Sequence, residues 1–357
     1  MKESRLKAID FFCGAGGMTY GISQADIRVL AGIDIDPDCK ETYQLNNLDS
    51  VFIERDIFEF SEEELSEITG IKRDDDSLLF IGCSPCQYWT RINTSKEKSA
   101  KSKDLLREFQ RFVSWFKPGY IIIENVPGLL NTKNEKTLDN FLAFLKHEKY
   151  AYDHGLINAN HYGVPQNRKR YLLISTRLSD NIRIPKGRSD KSLILRNYLG
   201  HDKGFPVVEA GYKDKTDFMH TVAALSEKNK LRIEKTPKDG GTRLSWKDNP
   251  ELQIDAYRGK DHIFKDVYGR MFWDKPAPTI TTRFNSLSNG RFGHPCENRA
   301  ISLREGATLQ TFPKTYIFRG KSEHCIARQI GNAVPPEMAR KIGLVIGISY
   351  NSMEFSS

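Results

Sequence analysis

The sequence predicts an α/β protein: a parallel sheet flanked by helices, followed by a smaller, loop-rich domain. Three observations predict it. Short apolar runs alternate with amphipathic stretches through the first half, and a glycine-rich turn directly follows the first run. From about Leu178 the chain then becomes polar and strewn with Gly, Pro and aromatic residues. The strands are expected at Ala8–Phe12, Val29–Ile35, Val51–Ile57, Leu78–Ile81, Tyr120–Ile123 and Tyr171–Ser175. Helices are expected at the glycine-rich turn, over about Asp104–Phe116 and about Lys136–Lys146, and again over Pro335–Tyr350. Residues 179 to 290 read as short strands and long loops, with Asp239-Gly240-Gly241-Thr242 and Lys275-Pro276-Ala277-Pro278 as examples. The expected division is residues 1–178 for a catalytic and cofactor domain, 179–322 for a second domain, and 323–357 for a segment returning to the first.

A length of 357 residues suits one large domain with a smaller one. Hydrophobic residues make up 39%, enough for a core, and charged residues 28%, which argues against a membrane protein. No apolar run approaches the roughly 20 residues of a membrane span. The first residues lead into a strand that soon carries Asp10, unlike a signal peptide. The expectation is a cytoplasmic protein whose six cysteines are reduced. Lys and Arg total 54 against 46 acids, a net charge of +8 that favours a polyanionic partner such as nucleic acid. The acidic runs Glu62–Glu64 and Asp74–Asp76 read as solvated surface.

Asp10-Phe11-Phe12-Cys13-Gly14-Ala15-Gly16-Gly17 follows a strand and opens a helix, so its glycines let backbone approach a ligand. Asp34 ends the next strand, where an acid suits ribose hydroxyls. Thr19 stands where a dinucleotide fingerprint wants Gly or Ala, which leaves S-adenosylmethionine as the better candidate. Cys86, in Gly82-Cys83-Ser84-Pro85-Cys86-Gln87, follows the fourth strand, where open α/β sheets place their chemistry. A thiolate there is a strong nucleophile. Cys83 and Cys86 also spell C-x-x-C, which fits a redox pair, and a buried structural cysteine is the plain default. A metal site is not expected: no second C-x-x-C exists, and His294, Cys296, His324 and Cys325 are irregularly spaced. Glu124 ends an apolar strand, where desolvation would let it donate a proton; pairing with a nearby Lys or Arg is the competing reading. Gln166, Arg168 and Arg170 alternate along an extended segment and are expected to face one way.

Taken in order, these motifs resemble the cytosine-5 DNA methyltransferases, of the prokaryotic restriction-modification type, along nearly the whole chain. Asp10 to Gly17, with Gly14, Gly16 and Gly17, is similar to the family's cofactor loop, and Phe12 holds the position that stacks on adenine. Asp34 resembles its ribose acid and Asp56 the residue that reads the adenine amine. Pro85-Cys86-Gln87 resembles the catalytic loop, Glu124-Asn125-Val126 the base-activating motif, and Gln166 to Arg170 the Q-x-R-x-R motif. Arg299 to Pro313 resembles the segment under the recognition domain. Gln329 to Pro335, with Asn332, resembles the closing motif at the cofactor site. The sequence departs at Cys83-Ser84, where an aromatic residue and Pro are common, and at Tyr88-Trp89-Thr90.

The resemblance implies a Rossmann-like S-adenosylmethionine-dependent methyltransferase domain and a target recognition domain. It implies that Cys86 adds to C6 of a flipped-out cytosine, Glu124 acts at N3, and Arg170, with Arg168 nearby, binds the O2 side. Arg91 to Lys103 would be a lid. Trp246, Arg258, Arg270, Trp273, Arg283, Asn285 and Arg291 are residue types able to read bases. The expected partner is duplex DNA, bound by a monomer near the nucleoid, with a cognate restriction endonuclease encoded nearby. The rivals are a tRNA cytosine-5 methyltransferase, a thiol-disulfide oxidoreductase using Cys83 and Cys86, and a silent DNA-binding protein.

Overall fold

A computed structural model describes residues 6–84, 96–131 and 136–354, with side chains omitted for 96–103, 131, 353 and 354. Seven strands, β1 (Lys7–Phe11), β2 (Arg28–Asp34), β3 (Val51–Glu54), β4 (Leu78–Gly82), β5 (Tyr120–Asn125), β6 (Ala151–Asn158) and β7 (Lys169–Thr176), form one sheet in the order β3-β2-β1-β4-β5-β7-β6. β1 to β5 are parallel, as the apolar runs predict. β7 pairs antiparallel with β5, and β6 with β7, so the sheet is not wholly parallel. β6 was not expected. Its sequence, Ala-Tyr-Asp-His-Gly-Leu-Ile-Asn, is an edge strand whose burial is broken, and it lacks a continuous apolar run.

Helices α1 (Gly17–Ser23), α2 (Lys40–Asn46), α3 (Glu62–Thr69), α4 (Lys96–Phe116) and α5 (Thr137–His147) connect these strands. α3 opens on Ser61, whose hydroxyl accepts from the Glu64 N–H, and Glu62–Glu64 fill its first turn. Three carboxylates at a helix N-terminus complement its dipole, a local role beyond mere solvation. α4 begins earlier than expected, and its Phe109, Phe112, Val113 and Phe116 are buried against Phe11, Phe80 and Phe141 in the main core.

The chain divides into two compact units. The first comprises residues 1–162, 169–188 and 334–357; the second, 163–168 and 189–333. These limits differ from the composition-based 178/179 and 322/323. Residues 179–188 stay with the first unit because Tyr162 Oη donates to Pro185 O, Ile184 N to Asp153 Oδ2, and Arg188 N to His161 O. In the second unit, α6 (Glu227–Lys235), α7 (Leu303–Leu309) and α8 (Glu323–Asn332) are the helices, and α7 packs on α8. The short strands expected there are absent among the described residues; 3-10 turns and three isolated bridges take their place. Back in the first unit, α9 (Pro336–Glu354) lies against α1. A Cβ on Gly21 would stand 2.2 Å from Pro336 O and 2.6 Å from Ala339 Cβ, so only glycine permits this approach. Among the described residues, no helix is long and apolar enough to cross a membrane.

Candidate active site

The sheet order 3-2-1-4-5 makes the chain leave β1 in one direction for β2 and β3 and in the other for β4 and β5. Such a switch point opens a crevice at the carboxyl ends of the strands. The register aligns those ends: Phe11 pairs with Ile33 and Gly82, Asp34 with Glu54, and Gly82 with Ile123. Phe12, Asp34, Asp56, Cys83 and Glu124 therefore all stand at one edge. Because β7 is antiparallel, its first residues, Lys169 and Arg170, come to that same edge.

The glycine loop turns sharply. Phe12 (φ +62°), Gly14 (+51°) and Gly16 (+85°) all adopt left-handed backbone, a strained state for an aromatic residue. Asp34 braces the turn: its Oδ2 accepts the Gly14 N–H at 2.8 Å and its Oδ1 the Asp36 N–H at 2.9 Å. Burial raises its carboxyl above the ordinary value, with those two N–H groups pulling the other way. A Cβ at Gly14 would meet nothing within 4 Å, so open space adjoins the loop. Asp56 is half-buried after β3 and accepts the Phe58 N–H at 3.1 Å. This donor and acceptor set fits a nucleoside: loop backbone half-buried at Phe12 and Gly14, an acid ending β2 and another after β3.

Beneath the loop runs a buried chain that the sequence reading missed. Thr19 Oγ1 donates to Asp10 Oδ2 at 2.7 Å and lies 3.1 Å from Tyr43 Oη, which lies 2.6 Å from Ser50 Oγ. Thr19, the residue that broke the dinucleotide fingerprint, thus links β1 to α2. The ring of Tyr43 fills the space over Gly32, where a Cβ would approach within 2.5 Å. Asp10 is fully buried, and its Oδ1 has no hydrogen-bond partner among the described residues. Burial, against the Thr19 hydrogen bond, pushes its carboxyl up to about 7. The folded protein thus keeps a proton that the unfolded chain releases near its ordinary value, so stability from this group is lost as pH rises from about 4 through about 7. Asp10→Asn removes that dependence. Thermal melting at pH 5 and pH 8 should show the variant gaining on the parent protein at the higher pH; an unchanged difference would contradict the assignment.

At the other side of β1, Glu124 is buried and Arg170 Nε lies 3.0 Å from its Oε1. The pairing considered from sequence is thus present, and it joins two candidate residues. Arg170 Nη1 also donates to Lys169 O. Asn125 Nδ2 donates to Ser84 Oγ at 3.0 Å and Ser84 O at 3.3 Å, tying β5 to the segment that follows β4. Pro85, Cys86 and Gln87 lie outside the described residues. So do 91–95 of the expected lid, while 96–103 form the start of α4. Among the described cysteines, burial holds Cys13 well above and Cys296 above the usual thiol value, and Cys39 and Cys325 are buried.

Arg168 does not share Arg170's surroundings. It belongs to the second unit, is 2% exposed, and donates to Ile280 O (2.9 Å), Gly331 O (3.1 Å) and Ala333 O (3.0 Å). Gln166 likewise bonds Gln310 and Leu309 and accepts from Ile280 N. The expected common face fails because β7 begins only at Lys169. Asn332 is exposed at the end of α8, also in the second unit. Of the expected base readers, Trp246 and Arg270 are buried, whereas Arg258 and Arg283 are exposed. His294, Cys296 and Glu297 offer ligand atoms within 4.8 Å of one another. His294 Nδ1, however, accepts the Glu297 N–H at 3.0 Å, so its lone pair serves the turn.

The sheet, the glycine loop and the acids at the strand ends define a Rossmann-like α/β enzyme of the methyltransferase class. The C-5 cytosine-specific DNA methylase family model matches residues 6–347, and the chain belongs to that family. It is 37% identical to the Type II methylase M.HgiDII of Herpetosiphon aurantiacus, over 94% of this chain and 93% of that one. It is 29% identical to the Type II methyltransferase M1.BsuMI of Bacillus subtilis, over 95% and 80%. The fold is similar to that of the S. pombe Dnmt2 methyltransferase, with a TM-score of 0.63 at 18% identity over 98% and 99% of the two chains.

Proposed function

We propose that this DNA (cytosine-5-)-methyltransferase uses S-adenosylmethionine to methylate a flipped-out cytosine in a specific duplex sequence, with Cys86 as nucleophile. The observation that carries the reading is the shared sheet edge, where Ser84, Glu124, Asn125 and Arg170 stand at the same strand ends as the glycine loop. Cys86 follows Ser84 by two residues, and two residues of extended chain span about 7 Å at most.

Phe12, Gly14, Gly16, Gly17, Asp34, Asp56 and Asn332 are the residues that would hold the cofactor. When bound, S-adenosylmethionine supplies an electrophilic methyl group for the C5 carbon. The Cys86 thiolate would add to C6, giving C5 the electron density of an enamine carbon. Glu124 would hold the proton at N3 and so stabilise charge developing on the ring. Arg170 would position Glu124 and present its remaining donors to the O2 side. Arg168 would act as a positioning residue, fixing the Gly331–Ala333 backbone next to Asn332. Loss of the C5 proton to solvent and expulsion of Cys86 would restore the ring. Flipping costs a few kcal/mol and exposes the otherwise stacked C5.

The relatives M.HgiDII and M1.BsuMI are Type II methylases, which favours duplex DNA over tRNA as substrate. By this reading the enzyme is a cytoplasmic monomer at the nucleoid, requires no metal, and protects host DNA from an endonuclease encoded nearby. Incubation with tritiated S-adenosylmethionine and either duplex DNA or tRNA tests the substrate. Label is expected in duplex DNA, and label only in tRNA would overturn the reading.

A further inference from the structure

In the second unit, residues 255–266 form an exposed loop in which only Tyr257 is half-buried. Such a loop would ordinarily wander, because few apolar contacts hold it. Here one buried side chain organises it. Arg243, 5% exposed, donates through Nη2 to Lys260 O (2.8 Å) and Ile263 O (3.1 Å), and through Nε to Phe264 O (3.3 Å). Its guanidinium also lies over the Tyr257 ring, which neighbours Phe264.

The outward character of the loop is unusual. Ile263 is 40% and Phe264 57% exposed, two adjacent apolar side chains, and Phe264 has φ +51°. Strained backbone that presents an apolar group to solvent is typical of ligand-contacting positions. Each acid of the loop faces an arginine: Asp255 with Arg258 (3.1 Å), Asp261 with Arg243 (3.5 Å), Asp266 with Arg291 (2.8 Å). Lys260, His262 and Lys265 remain to set the sign of the exposed surface. A cavity lined in part by Lys247, Gln253, Tyr257 and Arg258 adjoins the loop. The side chains gathered there include the amide and guanidinium that pair bidentately with adenine and guanine edges.

We propose that loop 255–266 enters the DNA major groove, that Arg258 and Phe264 determine target specificity, and that Arg243 is the positioning residue that shapes the loop. The proposal rests on the reading of the chain as a DNA methyltransferase. It commits to duplex DNA because the loop combines acids paired with arginines, two exposed lysines, a guanidinium for a purine edge and an apolar tip for a pyrimidine face or methyl group.

The target sequence is first read by bisulfite sequencing of DNA from cells expressing the full chain. Binding of the cognate duplex, a non-cognate duplex of equal length, and S-adenosylhomocysteine is then measured for the parent protein, Arg258→Ala, Phe264→Ala and Arg243→Gln. The expected result is at least a ten-fold loss of cognate over non-cognate preference in all three variants, with S-adenosylhomocysteine binding unchanged within two-fold. Should Arg243→Gln fail to fold, the two surface variants carry the test. Preference unchanged in Arg258→Ala and Phe264→Ala, or equal weakening on both duplexes, would overturn the assignment while leaving the methyltransferase reading intact. A parent protein that methylates no duplex DNA would overturn both.

Discussion

Cys86→Ser should reduce methyl transfer to duplex DNA by about ten-thousand-fold or more, the scale on which covalent nucleophiles are lost. A serine hydroxyl at neutral pH has almost no oxyanion, and without addition at C6 the C5 carbon stays a poor nucleophile. Binding should survive, because the glycine loop and Asp34 do not depend on the thiol. Cys83→Ser is the informative companion. Cys83 is half-buried with its N–H on Phe11 O, a strand-end position, and its replacement should change the rate only a few-fold. A redox pair would reverse the pattern, since both cysteines would then be essential. Tritium transfer to a defined duplex, measured on both variants, decides between them.

The second large effect lies away from the chemistry. Arg299 and Glu305 form a bidentate pair in the interior of the second unit: Nη1 to Oε2 at 2.7 Å and Nη2 to Oε1 at 2.9 Å. Glu305 also closes a capping box on α7, accepting the Ser302 N–H at 2.7 Å while Ser302 Oγ accepts the Glu305 N–H. Both partners are almost wholly buried. Burial alone would raise the Glu305 carboxyl, but Arg299 holds it down at about 2. Removing Arg299 leaves Glu305 a buried carboxylate without its guanidinium, so Arg299→Ala should cost about 3–5 kcal/mol; Glu305→Ala should cost less, because Glu297 Oε2 still accepts from Arg299 Nε at 2.8 Å. Arg299→Met with Glu305→Met should cost less than Arg299→Ala, because the carboxylate that then loses its arginine is the half-buried Glu297 and not the fully buried Glu305. The stability from Glu305 is fully present above about pH 4.5 and is lost as pH falls toward 2. Denaturant midpoints at pH 7 and pH 3 test both statements. A double variant weaker than both single variants would contradict the pairing argument.

The parallel strands were legible because each is an apolar run buried on both faces, as in Leu78–Gly82 and Tyr120–Asn125. Asp34 and Glu124 were legible because a polar residue ending such a run must sit at the sheet edge. The common face of Arg168 and Arg170 was not legible, because alternation assumes a continuous strand, whereas β7 starts at Lys169. The second unit was opaque for a different reason. Turns and single backbone bonds replace ladders there, and buried arginines satisfy further carbonyls: Arg270 donates to Thr236 O, Ile233 O and His294 O, and Arg304 to Phe218 O, Pro313 O and Tyr316 O. In sequence these arginines look like solvated cations or base readers. No periodicity reveals that they hold loops together.

The most direct test of the central claim is covalent trapping on duplex DNA carrying 5-fluorocytosine at the target position, in the presence of tritiated S-adenosylmethionine. Fluorine at C5 blocks the final elimination, so a complex formed through Cys86 should persist under denaturation and carry the methyl label. The parent protein and Cys83→Ser should both trap, and Cys86→Ser should not. A labelled, denaturation-stable complex formed by Cys86→Ser would contradict the account.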